Sequence, residues 1–225
     1  MHIEPGLVSE AKIVLSYGTA AASLAYAAKL ALDDAKMRGA ISLLGRSAIA
    51  TAAVFTFFQI LPHHPVGVSE VHLILGSTLF LMLGVAPAAA GLVLGLLLQG
   101  LFFAQADLPQ FGMNVTTLLV PLFGLQLLAR KVIAPATPYV DLQYRQALAL
   151  STAYQGGIVA WVAFWAIYGQ GFGAANLASV AAFGAAYMLV VVVEPLADLA
   201  VLAVAKTLHR AQGSALLNTR LYSAA

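Results

Sequence analysis

The residues able to do chemistry gather at the start of the chain and in one short segment further on. Met1-His2-Ile3-Glu4-Pro5-Gly6 opens with an amine and an imidazole one residue apart. A terminal α-amine titrates close to neutrality, so it becomes a neutral ligand at modest cost. Once the amine holds a metal, the His2 backbone nitrogen closes a five-membered chelate ring on deprotonation, and His2 Nδ1 then closes a six-membered one. Nitrogens in one plane leave a corner open for a further donor. That geometry suits Ni(II) or Cu(II), admits low-spin cobalt and fits Zn(II) poorly. Removal of an initiator methionine is disfavoured before a residue as large as histidine. Residues 1–10 carry Glu4 and Glu10, with no basic n-region and no evident cleavage site, so an intact Met1 is expected. A histidine at position 2 is by itself a common accident, and the case depends on where the last donor comes from.

Residues 61–67, LPHHPVG, offer that donor in His63 or His64. Pro62 and Pro65 stiffen the segment, and Pro65 biases His64 toward extended backbone. Glu70 and His72 follow closely. Glu70 reads as an acceptor that orients an imidazole, as a contributor to ion capture, or as a carboxylate at a helix N-terminus. Residues 107–115, DLPQFGMNV, place Asn114 near the start of a helix, as its cap or as a hydrogen-bonding partner of the metal-bearing segment. Without further context the histidine segment also reads as an interfacial loop with solvated imidazoles, and His209 as a solvated end.

The elements that must position these groups are membrane helices. The chain has 225 residues, 61% hydrophobic and 9% charged, with mean hydropathy +0.90; an ordinary soluble domain has roughly 25% charged residues. That composition excludes a soluble globular protein and a disordered chain. The absence of cysteine excludes a disulfide scaffold and thiolate metal sites. A net charge of +2 does not describe a nucleic-acid binder. A helix crosses the hydrocarbon with about 20 apolar residues. Charge-free windows at 13–28, 47–69, 71–106, 108–129 and 146–193 provide them, the third and last long enough for two passes each. An all-α polytopic membrane bundle of about seven transmembrane helices follows, near 10–32, 42–61, 70–84, 87–106, 115–131, 144–168 and 178–206. The third is short for a span, consistent with tilt, partial re-entry or shielding by neighbours.

Charge sets the expected orientation. With the N-terminus outside and the C-terminus inside, Lys29, Lys36, Arg38, Arg46, Arg130, Lys131, Arg145, Lys206, Arg210 and Arg220 fall on the inner side and Lys12 alone on the outer. That bias requires an odd number of passes. Residues 1–210 read as one transmembrane domain with an N-terminal plug at 1–9, and 211–225 as a short cytoplasmic tail. Small residues recur at three- and four-residue spacing, Gly84, Ala88, Gly91 and Gly95, and again Ala21, Ala25 and Ala28. They read as close helix packing within the bundle, with docking of a membrane partner as the alternative. Gln99 and Gln105 need partners in lipid. Glu194-Pro195 with Asp198 one turn on is an acidic pair in apolar surroundings, read as helix packing, partner docking or a proton relay. HExxH, a serine-nucleophile motif, a P-loop and an intramembrane aspartate pair are all missing, so no enzyme is expected.

Four of these segments, in order, resemble one family. The opening residues are similar to the MHIxxG start of the substrate-binding membrane component of cobalt and nickel energy-coupling-factor transporters. His64-Pro65-Val66-Gly67, followed by Leu75-Gly76, resembles that family's HPTG segment. Val85-Ala86-Pro87 through Gln99-Gly100-Leu101-Phe102-Phe103-Ala104 resembles its next helix, and Gly112-Met113-Asn114-Val115 its glycine–any–asparagine–valine segment. The resemblance implies a bundle of six or seven helices in a bacterial or archaeal plasma membrane (the inner membrane in a Gram-negative cell). It implies Co(II) or Ni(II) as transported substrate, held by Met1, His2 and His64, with Asn114 supporting the plug. It also implies partners: a coupling transmembrane protein, a cytoplasmic ATPase pair and a small accessory membrane subunit. This sequence departs from the pattern at Ile60-Leu61-Pro62-His63, where the family has serine–cysteine–serine, and at Val68-Ser69-Glu70-Val71-His72, where it is glycine-rich. His63 and His64 are therefore alternatives for the loop ligand, and Glu70 or His72 is a possible additional one. The competing readings are a stand-alone secondary transporter with a histidine-lined entry, and a structural subunit of a larger membrane complex.

Overall fold

The computed structural model describes residues 3–210 of the chain. Seven helices appear among them. α1 (Glu10–Arg38), α2 (Ala40–Phe55, prolonged by a π-helical turn, Thr56–Ile60), α4 (Val85–Phe102), α5 (Phe111–Val132), α6 (Tyr144–Gln170) and α7 (Ala174–Arg210) belong to six segments long and apolar enough to cross a membrane. The protein is a multi-pass membrane protein. α3 (Gly76–Leu83) has only eight residues, about 12 Å of helix. A hairpin of β1 (His64–Val66) and β2 (Ser69–Val71) joins α2 to it.

The third segment departs from the helix expected over 70–84. Residues 69–71 are a strand, 72–75 are non-helical, and helix begins only at Gly76. Leu75 sits in the left-handed region, φ 51°, which costs a non-glycine residue roughly 1–2 kcal/mol. Non-helical backbone at membrane depth persists where protein groups satisfy it. Here α7 does so: the Glu194 carboxylate accepts from the Ile74 N–H, and Asp198 accepts from the Ser77 hydroxyl. Gln155 of α6 donates to the same Glu194, and Tyr187 donates to Gln155 at 2.9 Å.

Two sets of hydrogen bonds define the ends of the bundle. At one end Lys12 Nζ donates to the carbonyls of Tyr168 and Gly169, both at 2.9 Å, and Tyr17 donates to Pro109 O. At the other, Arg46 Nη1 donates to Leu83 O at 2.6 Å and pairs with Asp34, while Lys206 Nζ donates to Val140 O at 2.7 Å. Residues 72–83 run from the hairpin at the first end to Arg46 at the second. They are a third crossing made of a short helix and at most about 13 Å of non-helical chain. Ile3, beside the hairpin, and Lys206, beside Val140, accordingly lie at opposite ends of the bundle.

Close helix packing uses the small residues of α4. A Cβ at Gly91 would collide with Ala50, and one at Gly95 with Val54, so α4 meets α2 nearly backbone to backbone. The row Ala21, Ala25 and Ala28 is exposed. Gln99, buried in α4, donates to Phe58 O at 3.2 Å.

Candidate metal centre

The chain approaches the site through a docked N-terminal segment. Ile3 is fully buried. Its N–H donates to Asn114 Oδ1 at 2.9 Å, it forms an antiparallel bridge with Ser69, and the Glu4 N–H donates to Val68 O at 3.2 Å. The segment therefore lies antiparallel alongside β2, joined to the hairpin by this single bridge and the Glu4 bond. Pro5-Gly6 then turns the chain, with Gly6 at φ 83° and the Leu7 N–H bonded to Glu4 O at 3.2 Å. The Leu7 carbonyl rests where a Cβ on Gly169 would stand. Leu7 and Val8 are buried.

The hairpin turns at Gly67, φ 63°, where a side chain would strike the Ser179 carbonyl of α7. Its register pairs His64 with Val71, Pro65 with Glu70 and Val66 with Ser69. The fold brings His63, Glu70 and His72 together. The His63 and His72 rings stack with centroids 4.9 Å apart and planes 9° from parallel, and His72 Nε2 lies 2.8 Å from Glu70 Oε2. Phe58 packs on His72 at 5.4 Å. His72 is buried, whereas His64 is exposed.

Hydrogen-bond partners assign the imidazole tautomers. A carbonyl only accepts, so His63 Nδ1, 3.1 Å from Leu61 O, carries its hydrogen and the lone pair lies on Nε2. The Glu70 carboxylate likewise places a hydrogen on His72 Nε2. A carboxylate behind an imidazole fixes the orientation of the ring, the arrangement found around many metal-bound histidines.

Asn114 lies in the first turn of α5 and is almost fully buried. Of the two roles open for it in the sequence, the hydrogen bond to the N-terminal segment is the one present; no side-chain cap bond forms at the start of α5. Met1 and His2 lie outside the described residues. Among the described residues no three His, Asp or Glu side chains form a group able to hold a metal ion. The Glu194–Gln155–Tyr187 cluster lies directly behind the hairpin, and sequence reasoning did not connect it to this region. Its one local signal is a carboxylate in an apolar helix.

Residues 2–211 match the family model for CbiM, described as cobalt uptake substrate-specific transmembrane region. The chain belongs to that family. It is a membrane transport component of a metal-uptake system, and its substrate class is transition-metal ions. Among solved structures, the crystal structure of a truncated transition metal transporter has a similar fold. The TM-score is 0.68 at 20% identity, covering 93% of this chain and 99% of that one. No curated protein matches the CbiM-family chain.

Proposed function

We propose that the protein is the substrate-specific component of an ATP-driven uptake system for Co(II) or Ni(II), and that it captures the ion with its N-terminus on the extracytoplasmic side. The ligands are the Met1 amine, the His2 backbone nitrogen and imidazole, and an imidazole of the hairpin. Family resemblance names His64 for that last role, and His63 and His72, gathered on Glu70, are the alternatives. The observation that carries this reading is the anchoring of Ile3 to Asn114 and Ser69. Two residues span at most about 7 Å, so that anchor keeps Met1 and His2 within reach of the hairpin. The antiparallel sense of the bridge puts Glu70 and His72 on the side from which the chain enters Ile3.

Energetically, a divalent ion leaves water only if ligands replace its hydration shell. A plug that brings nitrogens of its own and closes against a preformed hairpin does this, and burial of Ile3, Leu7 and Val8 contributes to closure. The basic residues favour the same orientation. The Arg46 end carries Lys36, Arg38, Arg46, Arg130, Lys131, Arg145, Lys206 and Arg210, which belong on the cytoplasmic side. Energy for transport would come from a cytoplasmic ATPase pair acting through a coupling transmembrane protein, with a small accessory subunit.

The purified chain should bind one Ni(II) or Co(II) ion, and either one residue added before Met1 or His2→Ala should abolish high-affinity binding while helical content is retained. Separate alanine substitutions at His63, His64 and His72 should identify the hairpin ligand. Stoichiometric binding that survives both N-terminal changes, or uptake into liposomes by this chain alone, would overturn the proposal.

A further inference from the structure

The groups on α6 and α7 behind the hairpin have no part in the ligand set, yet they control its backbone. Glu194, Gln155 and Tyr187 are fully buried. Glu194 Oε1 accepts from the Ile74 N–H, and Oε2 accepts from Gln155 Nε2, whose own carbonyl accepts from Tyr187. The carboxylate thus supplies an acceptor to a peptide unit that the interruption of helix deprived of one. Ile74 is two residues beyond His72. Only Leu73 separates the Glu70–His72 pair from this anchor, which leaves little chain to absorb a displacement.

α7 holds the hairpin at a second place. Gly67 at the tip lies against the Ser179 and Phe183 backbone, so closely that a Cβ has no room. Below the anchor, Asp198 accepts from Ser77 in α3. One helix therefore fixes the tip of the hairpin, the chain leaving it and the helix that follows. The same helix ends at the opposite face, where Lys206 binds Val140 O. Each Glu194 oxygen is engaged in this support, which accounts for an acidic residue at membrane depth without a proton path.

We infer that Glu194 is a positioning residue for the metal site: through Ile74, and steadied by Gln155, it sets where the His63–Glu70–His72 face of the hairpin meets the N-terminal segment. The inference deepens the proposed function and rests on the hairpin's share in binding the ion. A partner bonded directly to a metal ligand is worth about 10- to 100-fold in affinity, and Glu194, acting through the Ile74 backbone, is expected at the lower end of that range. Replacing Glu194 should lower affinity and change the ligand field, whereas a group that merely seals the fold would lower thermal stability alone.

The test titrates the detergent-purified full chain with Ni(II), following both the affinity and the visible absorption of the bound ion, for wild type, Glu194→Ala, Glu194→Gln and Gln155→Leu. Glu194→Ala should bind at least about tenfold more weakly, with one ion still bound and a shifted absorption band. Glu194→Gln keeps an acceptor for Ile74, and a turned Gln155 amide can meet its new donor, so it should recover most of the affinity and the original band. Gln155→Leu should fall between. Wild-type affinity and band in Glu194→Ala would overturn the inference, and so would weaker binding with an unshifted band. If Glu194→Ala does not fold, an unchanged band in Gln155→Leu overturns it. Failure of the wild type to bind Ni(II) or Co(II) would instead refute the proposed function.

Discussion

Asn114 acts through one oxygen. Its carbonyl accepts from the Ile3 N–H inside the protein, where a lost acceptor leaves a buried donor and costs about 1–3 kcal/mol. If ion capture requires the docked segment, that cost appears in the binding constant. Asn114→Ala should weaken Ni(II) or Co(II) binding by about tenfold or more, read by titration. Unchanged affinity would mean that the segment docks without it. Protons give a second expectation at this scale. In the proposed ligand set the amine, the His2 backbone nitrogen and an imidazole would each have to be free of a proton on the coordinating atom, so ions and protons would compete. Affinity should fall as pH is lowered, with more than one proton released per ion. Calorimetry in buffers of different ionisation enthalpy measures that number.

At the level of elements, the end of α6 is shaped around the N-terminal segment. Gly169 leaves the space that the Leu7 carbonyl fills. Gly169→Ala improves the helix by up to about 1 kcal/mol while pushing Leu7 away. It should leave helical content intact and still weaken metal binding; tight binding in this variant would show that the segment tolerates displacement. Much at this scale was legible in the sequence. The long helices follow from the charge-free windows, and their ends shift by a few residues for identifiable reasons. α1, expected to end near residue 32, runs on to Arg38 because Lys29–Asp33 and Asp34–Arg38 lie one turn apart and pair across its surface. The unwinding at 72–75 was not legible. Apolar residues 73–75 read as helix, and the acceptor that lets them leave it is Glu194, 120 residues further on. The stacking of His63 on His72 was equally hidden, because it depends on a turn at Gly67 that the sequence marks only as a possible one. Asn114 was legible as a choice between two roles, and the buried Ile3 N–H selects one.

For the whole molecule, the parity of crossings is the quantity that matters: charge predicts an odd number, and the structure has six long apolar helices and a third segment half as helical as expected. The chain has no cysteine, so single introduced thiols report sidedness cleanly. Phe172→Cys, exposed at the Lys12 end, should react with a membrane-impermeant maleimide in intact cells. Ala134→Cys, exposed at the Arg46 end, should react only after lysis. The reverse pattern would place the N-terminal segment in the cytoplasm and remove the capture site from the outer surface. The third crossing also fixes an order of events during synthesis. When residues 72–83 leave the ribosome, the carboxylate that will receive the Ile74 N–H has not yet been translated. This part of the chain must wait in the insertion machinery or at the lipid boundary until α7 arrives, and chains arrested before Glu194 should remain sensitive to proteases at the hairpin. Completion of the hairpin region is thereby tied to completion of translation.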